Sequence, residues 1–237
     1  LILRRKYTVD MAGVPARYEF RAWCVSAGLL AGNAGLVVLN SQVDILMLGL
    51  LGTFEDVGVY RVAAQIALVS GFVYTAFNML AMQRFAFFHA AGDSRQLAKA
   101  AHLMARVAFI GSLPLPVLFF FLGEEILVAV FGSDFSAALQ PIFLLFLMQS
   151  ISAFAGMGRT LLVMSGQERV LVKLNVATVV LNVVLCYFLI PEFGTLGAAA
   201  SAALAIGTWN LATWFLAWRL TGVDSSVIGI RKGGIDG

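Results

Sequence analysis

The sequence predicts an all-α, polytopic membrane protein with six transmembrane helices. Three observations predict it: an overwhelmingly apolar composition, six continuous apolar runs of bilayer length, and basic residues confined to alternate connections. Of the 237 residues, 60% are hydrophobic and only 12% are charged, with a mean hydropathy of +0.90. A water-soluble domain of this size carries about twice that charged fraction. So little polar surface cannot cover a globule in water, so the solvent for most of the chain is lipid.

A helix needs ~20 apolar residues to cross ~30 Å of hydrocarbon. The runs that qualify are 27–51, 57–82, 104–123, 139–163, 171–190 and 196–218. They are continuous rather than alternating, which excludes the ~10-residue signature of barrel strands. Residues 1–26 are expected to form a cytoplasmic linker and interfacial lead-in, 27–220 the six-helix lobe, and 221–237 a cytoplasmic tail.

Charge fixes an expected orientation. With a cytoplasmic N-terminus, Arg61 is the one exception among 16 Lys and Arg residues. The rest fall on the inner segments, while Glu55, Asp56, Glu124, Glu125, Asp134 and Glu192 collect on the outer ones. The positive-inside rule then places both termini in the cytoplasm. A net charge of +3 does not imply a nucleic-acid partner, because the basic residues form neither one block nor one face. The inner ones are expected to meet anionic headgroups, so membrane lipids are partners.

The connections differ in kind. Gly52 to Asp56 and Pro191 to Thr195 are tight outer turns that force antiparallel neighbours. The inner loop 83–103 is longer, with Asp93 or Ser94 available to cap a following helix. Pro114 and Pro116 should kink the third span, and Glu124 to Phe131 forms a short helix at the outer surface. Leu1 to Leu3 followed by Arg4-Arg5-Lys6 has the pattern of a preceding helix's end, so an N-terminal part is expected to be missing.

Polar residues inside spans are the functional candidates. Asp44 is the one carboxylate well inside a span, beside Asn40, Ser41 and Gln42. An ionisable group at that depth needs a cavity or a partner. Arg61 stands at a similar height across the tight turn. Two readings are open: a polar site in which Arg61 meets an anion and Asp44 couples ions or protons, or a structural Asp44–Arg61 pair pinning the hairpin. Gln65, Asn78, Gln149, Asn175 and Asn182 could together wet one face of a cavity, although each alone is explained by interhelical hydrogen bonding. Gly28, Gly32, Gly35 and the run 197–203 are small-residue surfaces for close helix packing.

Neither a metal site nor a cofactor is expected. His89 and His102 lack carboxylate or thiolate companions at ligand spacing, and Cys24 and Cys186 are placed as small buried hydrophobes. No nucleophile–base arrangement, phosphate loop or large outer loop is present, so the chain is not expected to be an enzyme.

The order of several short segments resembles a known family. Val43-Asp44-Ile45-Leu46-Met47-Leu48-Gly49 continues through Gly52 to Val57-Gly58-Val59-Tyr60-Arg61-Val62-Ala63. Phe131-Gly132-Ser133-Asp134-Phe135 leads into Leu144-Leu145, and Ser165-Gly166-Gln167 precedes Asn175. Leu181-Asn182 and Ile190-Pro191-Glu192-Phe193-Gly194-Thr195-Leu196-Gly197-Ala198-Ala199 follow. Over about residues 15–220 this pattern is similar to the C-terminal half of bacterial polysaccharide flippases of the O-antigen and capsule type. These belong to the multidrug/oligosaccharidyl-lipid/polysaccharide exporter superfamily.

The resemblance implies one lobe of a two-lobed inner-membrane transporter, the other lobe being the missing N-terminal part. It implies alternating-access flipping of an oligosaccharide on an undecaprenyl pyrophosphate carrier. On this reading Arg61, Gln65, Asn78 and Asn40 are candidate substrate-binding residues and Asp44 the candidate ion-coupling residue. The rival within the superfamily is a cation-coupled multidrug or toxin antiporter. The rival of another class is a membrane-embedded glycosyltransferase or polymerase. An isolated lobe would expose its cavity face, so poor stability is expected without the rest.

Overall fold

A computed structural model describes residues 20–90, 94–155 and 158–221, whose regular structure is all helix, with no strand among them. The helices are α1 (Phe20–Leu51), α2 (Phe54–Ala90), α3 (Ser94–Ser112), α4 (Pro114–Phe131), α5 (Leu139–Ala155), α6 (Gly158–Met164) and α7 (Glu168–Thr221), with a 3-10 turn at Ser133–Ala138. Among the described residues, four stretches are long and apolar enough to cross a membrane: Ala34–Leu51, Gln96–Phe131, Ser133–Ala155 and Arg169–Leu220. A fifth arises if Phe54–Phe72 and Tyr74–Met82, bent by 40°, count as one span.

That count is four or five where six were expected; the bend in α2 separates four from five, and α7 separates five from six. It joins the expected spans 171–190 and 196–218 into one stretch of 54 residues, broken at Gly194. Gly194 has φ 54° and ψ −126°, a backbone conformation that a β carbon opposes. Pro191, three residues earlier, removes an amide donor as the turn begins. The chain then doubles back so tightly that a β carbon on Gly197 would run into the Leu189 carbonyl oxygen. Leu189 and Gly197 would lie about 12 Å apart in a straight helix, so α7 is a helical hairpin with arms 168–193 and 195–221.

The proline expectation has a definite outcome. α3 stops at Ser112 and α4 restarts with Pro114 at its first turn, where the missing amide hydrogen costs nothing. The expected short outer helix at Glu124 to Phe131 is instead the last part of α4, ending at Gly132 with φ 97°. The long inner loop shrinks as well, because α2 continues to Ala90 and α3 begins at Ser94; Asp93 lies outside the described residues. Likewise the expected fourth span, 139–163, is divided between α5 and α6.

Polar backbone chemistry sets the sharp turns. At the α1–α2 turn the Thr53 hydroxyl accepts from the Asp56 amide at 3.2 Å, and Asp56 Oδ2 accepts from the Thr53 amide at 3.0 Å. This reciprocal capping, with Glu55 and Asp56 in the first turn, offsets the orphan amides and dipole of the helix start. Thr53→Ala is expected to cost about 1 kcal/mol, measured as reduced thermal stability of the full-length protein in detergent. Between α6 and α7, Gly166 at φ 71° closes a Schellman turn in which the Gln167 amide donates to the Leu162 carbonyl at 3.0 Å.

Two apolar clusters order the bundle from end to end. One gathers Leu48, Tyr60, Phe119, Leu127, Ile142, Phe146, Cys186 and Ile190. The other gathers Phe85, Leu97, Ala101, Leu161, Leu162, Leu171 and Ala217. At the first end the three acidic connections meet. A β carbon on Gly194 would lie 3.7 Å from Asp56 Oδ1, and Glu124, Ser136 and Thr195 line one hollow.

Small residues behave differently at the two places expected to pack closely. Gly197, Ala198, Ala199, Ser201 and Ala202 are buried, as close hairpin packing requires. Added β carbons on Gly28, Gly32 and Gly35 meet nothing within 4 Å, so that stripe packs against none of the described residues.

Candidate functional site

The bundle is held by polar contacts at several levels. The Ser70 hydroxyl of α2 donates to the Ser112 carbonyl at 3.2 Å. Thr160 Oγ1 of α6 donates to Asn78 Oδ1 at 2.6 Å. Asn210 Nδ2 of α7 donates to Ser152 Oγ of α5 at 2.7 Å. Each ties elements that have no hydrophobic drive to associate in lipid. The bend in α2 falls between Phe72 and Tyr74, just after Ser70-Gly71, a pair of the kind that kinks helices, and the Thr75 hydroxyl donates to the Gly71 carbonyl across it at 3.0 Å.

One such contact is of a different kind, because it involves a carboxylate. Asp44 of α1 is only 8% exposed, and its Oδ1 accepts from Asn182 Nδ2 of α7 at 2.7 Å. Tyr60 of α2 is buried beside the same carboxylate and lines the same cavity as Asp44. The Cys186 sulfur lies 3.8 Å from Asp44 Oδ1 and 3.7 Å from Asn182 Oδ1. The cluster joins α1, α2 and the first arm of α7. Among the described residues, Asp44 Oδ1 is partnered by the neutral groups of Asn182 and Cys186 rather than by a positive charge.

The Asp44–Arg61 pair considered from the sequence is therefore not what holds Asp44. Arg61 is exposed, and both residues line the wall of a cavity of about 250 Å³ between α1, α2, α5 and α7. Asn40 and Asp44, four residues apart, stand on one face of α1, and Arg61 and Gln65 repeat that spacing on α2. Ser41, Gln42 and Gln149 complete the polar lining. Asn40 Oδ1 is buried without a hydrogen-bond partner, an open acceptor at the cavity wall.

Of the candidates named from the sequence, Asn40, Asp44, Arg61 and Gln65 come together here. Asn78 does not: it lies roughly 20 Å further along α2 and is engaged with Thr160. Asn175 is buried elsewhere on α7. The sequence reading passed over Tyr60 as a site residue and placed Cys186 as an inert hydrophobe. One signal was available: Asn182 and Cys186 are four apart, hence stacked on one face of the same helix.

Asn182→Leu is expected to destabilise the fold by about 1–3 kcal/mol, because it leaves a buried carboxylate oxygen without its donor. Asp44→Asn placed on top of Asn182→Leu should recover part of that loss. The check is a double-substitution cycle on thermal unfolding of the full-length protein; strictly additive losses would mean the contact carries no coupling.

Among the described residues, no three His, Cys, Asp or Glu side chains converge as a metal site. Compared with family models, curated proteins and solved structures, the chain matches none of them.

Proposed function

We propose that this chain is one lobe of a two-lobed transporter that flips lipid-linked oligosaccharide across the bacterial inner membrane by alternating access. The observation that carries the reading is the polar cavity. In a chain with a mean hydropathy of +0.90, one arginine, one carboxylate and several amides and hydroxyls line a single hollow. Buried polarity in lipid is costly and marks pathways. A pyrophosphate and its sugars cannot pass through hydrocarbon without a polar path. Arg61 supplies a cation for the anionic headgroup, while Asn40, Gln65 and Gln149 supply donors and acceptors for sugar hydroxyls.

On this reading the lobe has six spans. The arms of α7 are about 40 Å long at 1.5 Å per residue, each sufficient to cross, whereas one span of the whole length would be far too long. The meeting of the three acidic connections at one end supports this alternation. Together with the basic residues on the remaining segments, it favours cytoplasmic termini. A second lobe would close the cavity from the other side, as paired lobes do in transporters that alternate around a central site.

Asp44 favours a second reading, a cation-coupled antiporter that exports organic cations. A carboxylate buried beside a cavity suits exchange of protons or metal ions as well as it suits coupling in a flippase.

The test is access to the cavity. In full-length protein freed of native cysteines, Gln65→Cys should react with a membrane-impermeant thiol reagent. Lipid-linked oligosaccharide should protect it, and a cationic drug should not. Protection by the drug alone would favour the antiporter, and no reaction from either side would remove the cavity from any transport path.

A further inference from the structure

Two adjoining hollows lie on the side of α5 and α7 that faces away from the polar cavity. The first, about 530 Å³, is walled by Phe143, Leu144 and Leu147 of α5 and by Leu189, Leu196 and Ala200 of α7. The second, about 490 Å³, shares Gln140, Phe193 and Leu196 with it and adds Glu124, Ser136 and Thr195.

Helical geometry separates these features. On α5, Leu145, Met148 and Gln149 face the polar cavity, whereas Phe143, Leu144 and Leu147 face the groove. At 100° per residue the two sets point about 150° apart. On α7, Ala202 and Ile206 stand against Leu196, Gly197 and Ala200 with a similar separation. The groove thus opens away from the polar path, between the two apolar stretches Ser133–Ala155 and Arg169–Leu220. Leu147 is 56% and Phe193 55% exposed along it. What meets such a surface in a bilayer is hydrocarbon.

Its mouth is of mixed character. It sits at the end where the Gly194 turn and the 3-10 turn come together, and Glu124 is the charged side chain on its rim. Neither hollow is lined by Lys or Arg. An anionic headgroup would find no countercharge there. A zwitterionic amine headgroup would find a carboxylate for its ammonium, with the Gln140 amide and Thr195 hydroxyl as donors to its phosphate or ester oxygens.

We propose that the groove between α5 and the α7 hairpin holds one acyl chain of an aminophospholipid, with its ammonium against Glu124. The site is separate from the transport cavity and does not depend on what that cavity carries. It would fill the gap between α5 and the hairpin, whose apolar walls forgo dispersion contacts where they lack partner atoms.

The experiment uses full-length protein in phosphatidylcholine nanodiscs doped with chain-brominated phosphatidylethanolamine or phosphatidylglycerol. Phe193→Trp places an indole at the junction of the hollows, and the unsubstituted protein gives the background of the native tryptophans. Brominated phosphatidylethanolamine should quench the added indole several-fold more than phosphatidylglycerol at equal mole fraction. Glu124→Gln, at an exposed position, should abolish the difference, and Ala200→Phe, which fills the groove, should reduce quenching to that of bulk lipid. Equal quenching by both lipids, or a preference for phosphatidylglycerol, would overturn the proposal. Absence of quenching by either would also overturn it and would mean that protein covers the groove. Should Ala200→Phe fail to fold, the Glu124→Gln comparison decides alone.

Discussion

Gly197→Val is expected to disrupt the α7 hairpin, whereas Gly28→Val leaves the protein nearly unchanged. At 197 an added β carbon would run into the Leu189 carbonyl oxygen and come within 3.0 Å of the Ile190 nitrogen. Both are backbone atoms in the opposite arm, so neither can swing aside as a side chain would. Overpacking of this kind costs typically 1–3 kcal/mol and occasionally more. The arms also carry Asn182 on one side and Ala202 of the cavity wall on the other, so prising them apart should distort the polar cluster too. At 28 an added β carbon meets nothing within 4 Å among the described residues, and changes at such places are usually within about 0.5 kcal/mol. Thermal unfolding of the two full-length variants side by side checks this. Equal stability would mean that the hairpin is not packed at Gly197.

On the proposed flippase reading, Arg61→Ala is expected to abolish or sharply reduce transport at normal protein abundance. The side chain is exposed at the cavity, and among the described residues it is not the partner of Asp44, so its removal orphans no buried group. A hydrogen bond to a charged partner is worth about 1.5–3 kcal/mol, a loss of roughly ten- to a hundred-fold in affinity for an anionic headgroup. Arg61→Lys should retain part of the activity, because it keeps the charge but gives up the planar, two-pronged donor set. The apparent KM for lipid-linked oligosaccharide in proteoliposomes is the readout. An unchanged KM in Arg61→Ala would exclude this arginine from headgroup binding.

The helical class was legible because bilayer length and continuous apolarity are local properties. So was the pairing of candidates by turn: Asn40 with Asp44 and Arg61 with Gln65 follow from a spacing of four residues on each helix. What sequence could not supply is which helix each face meets. The donor to Asp44 is Asn182, 138 residues away, and no local pattern selects it over Asn175 or Asn78. The Asp44–Arg61 pair was plausible from the short turn alone, yet helix rotation turns Asp44 towards α7 and leaves Arg61 in the cavity. The glycine stripe at 28–35 and the run at 197–203 look alike as compositions; only the Gly194 turn, with the Pro191 bend before it, brings backbone against one of them. Span counting differs: the sequence already divides 171–190 from 196–218, and the non-helical φ and ψ of Gly194 fall inside that division, within a stretch that length and apolarity alone read as one.

The most direct test of the central claim is the leaflet distribution of lipid-linked oligosaccharide in cells deprived of the full-length protein. If the protein is the proposed flippase, the oligosaccharide accumulates on the cytoplasmic leaflet, the intact gene clears it, and Arg61→Ala does not. Normal distribution of the lipid-linked sugar, together with a new sensitivity to cationic drugs, would contradict that reading.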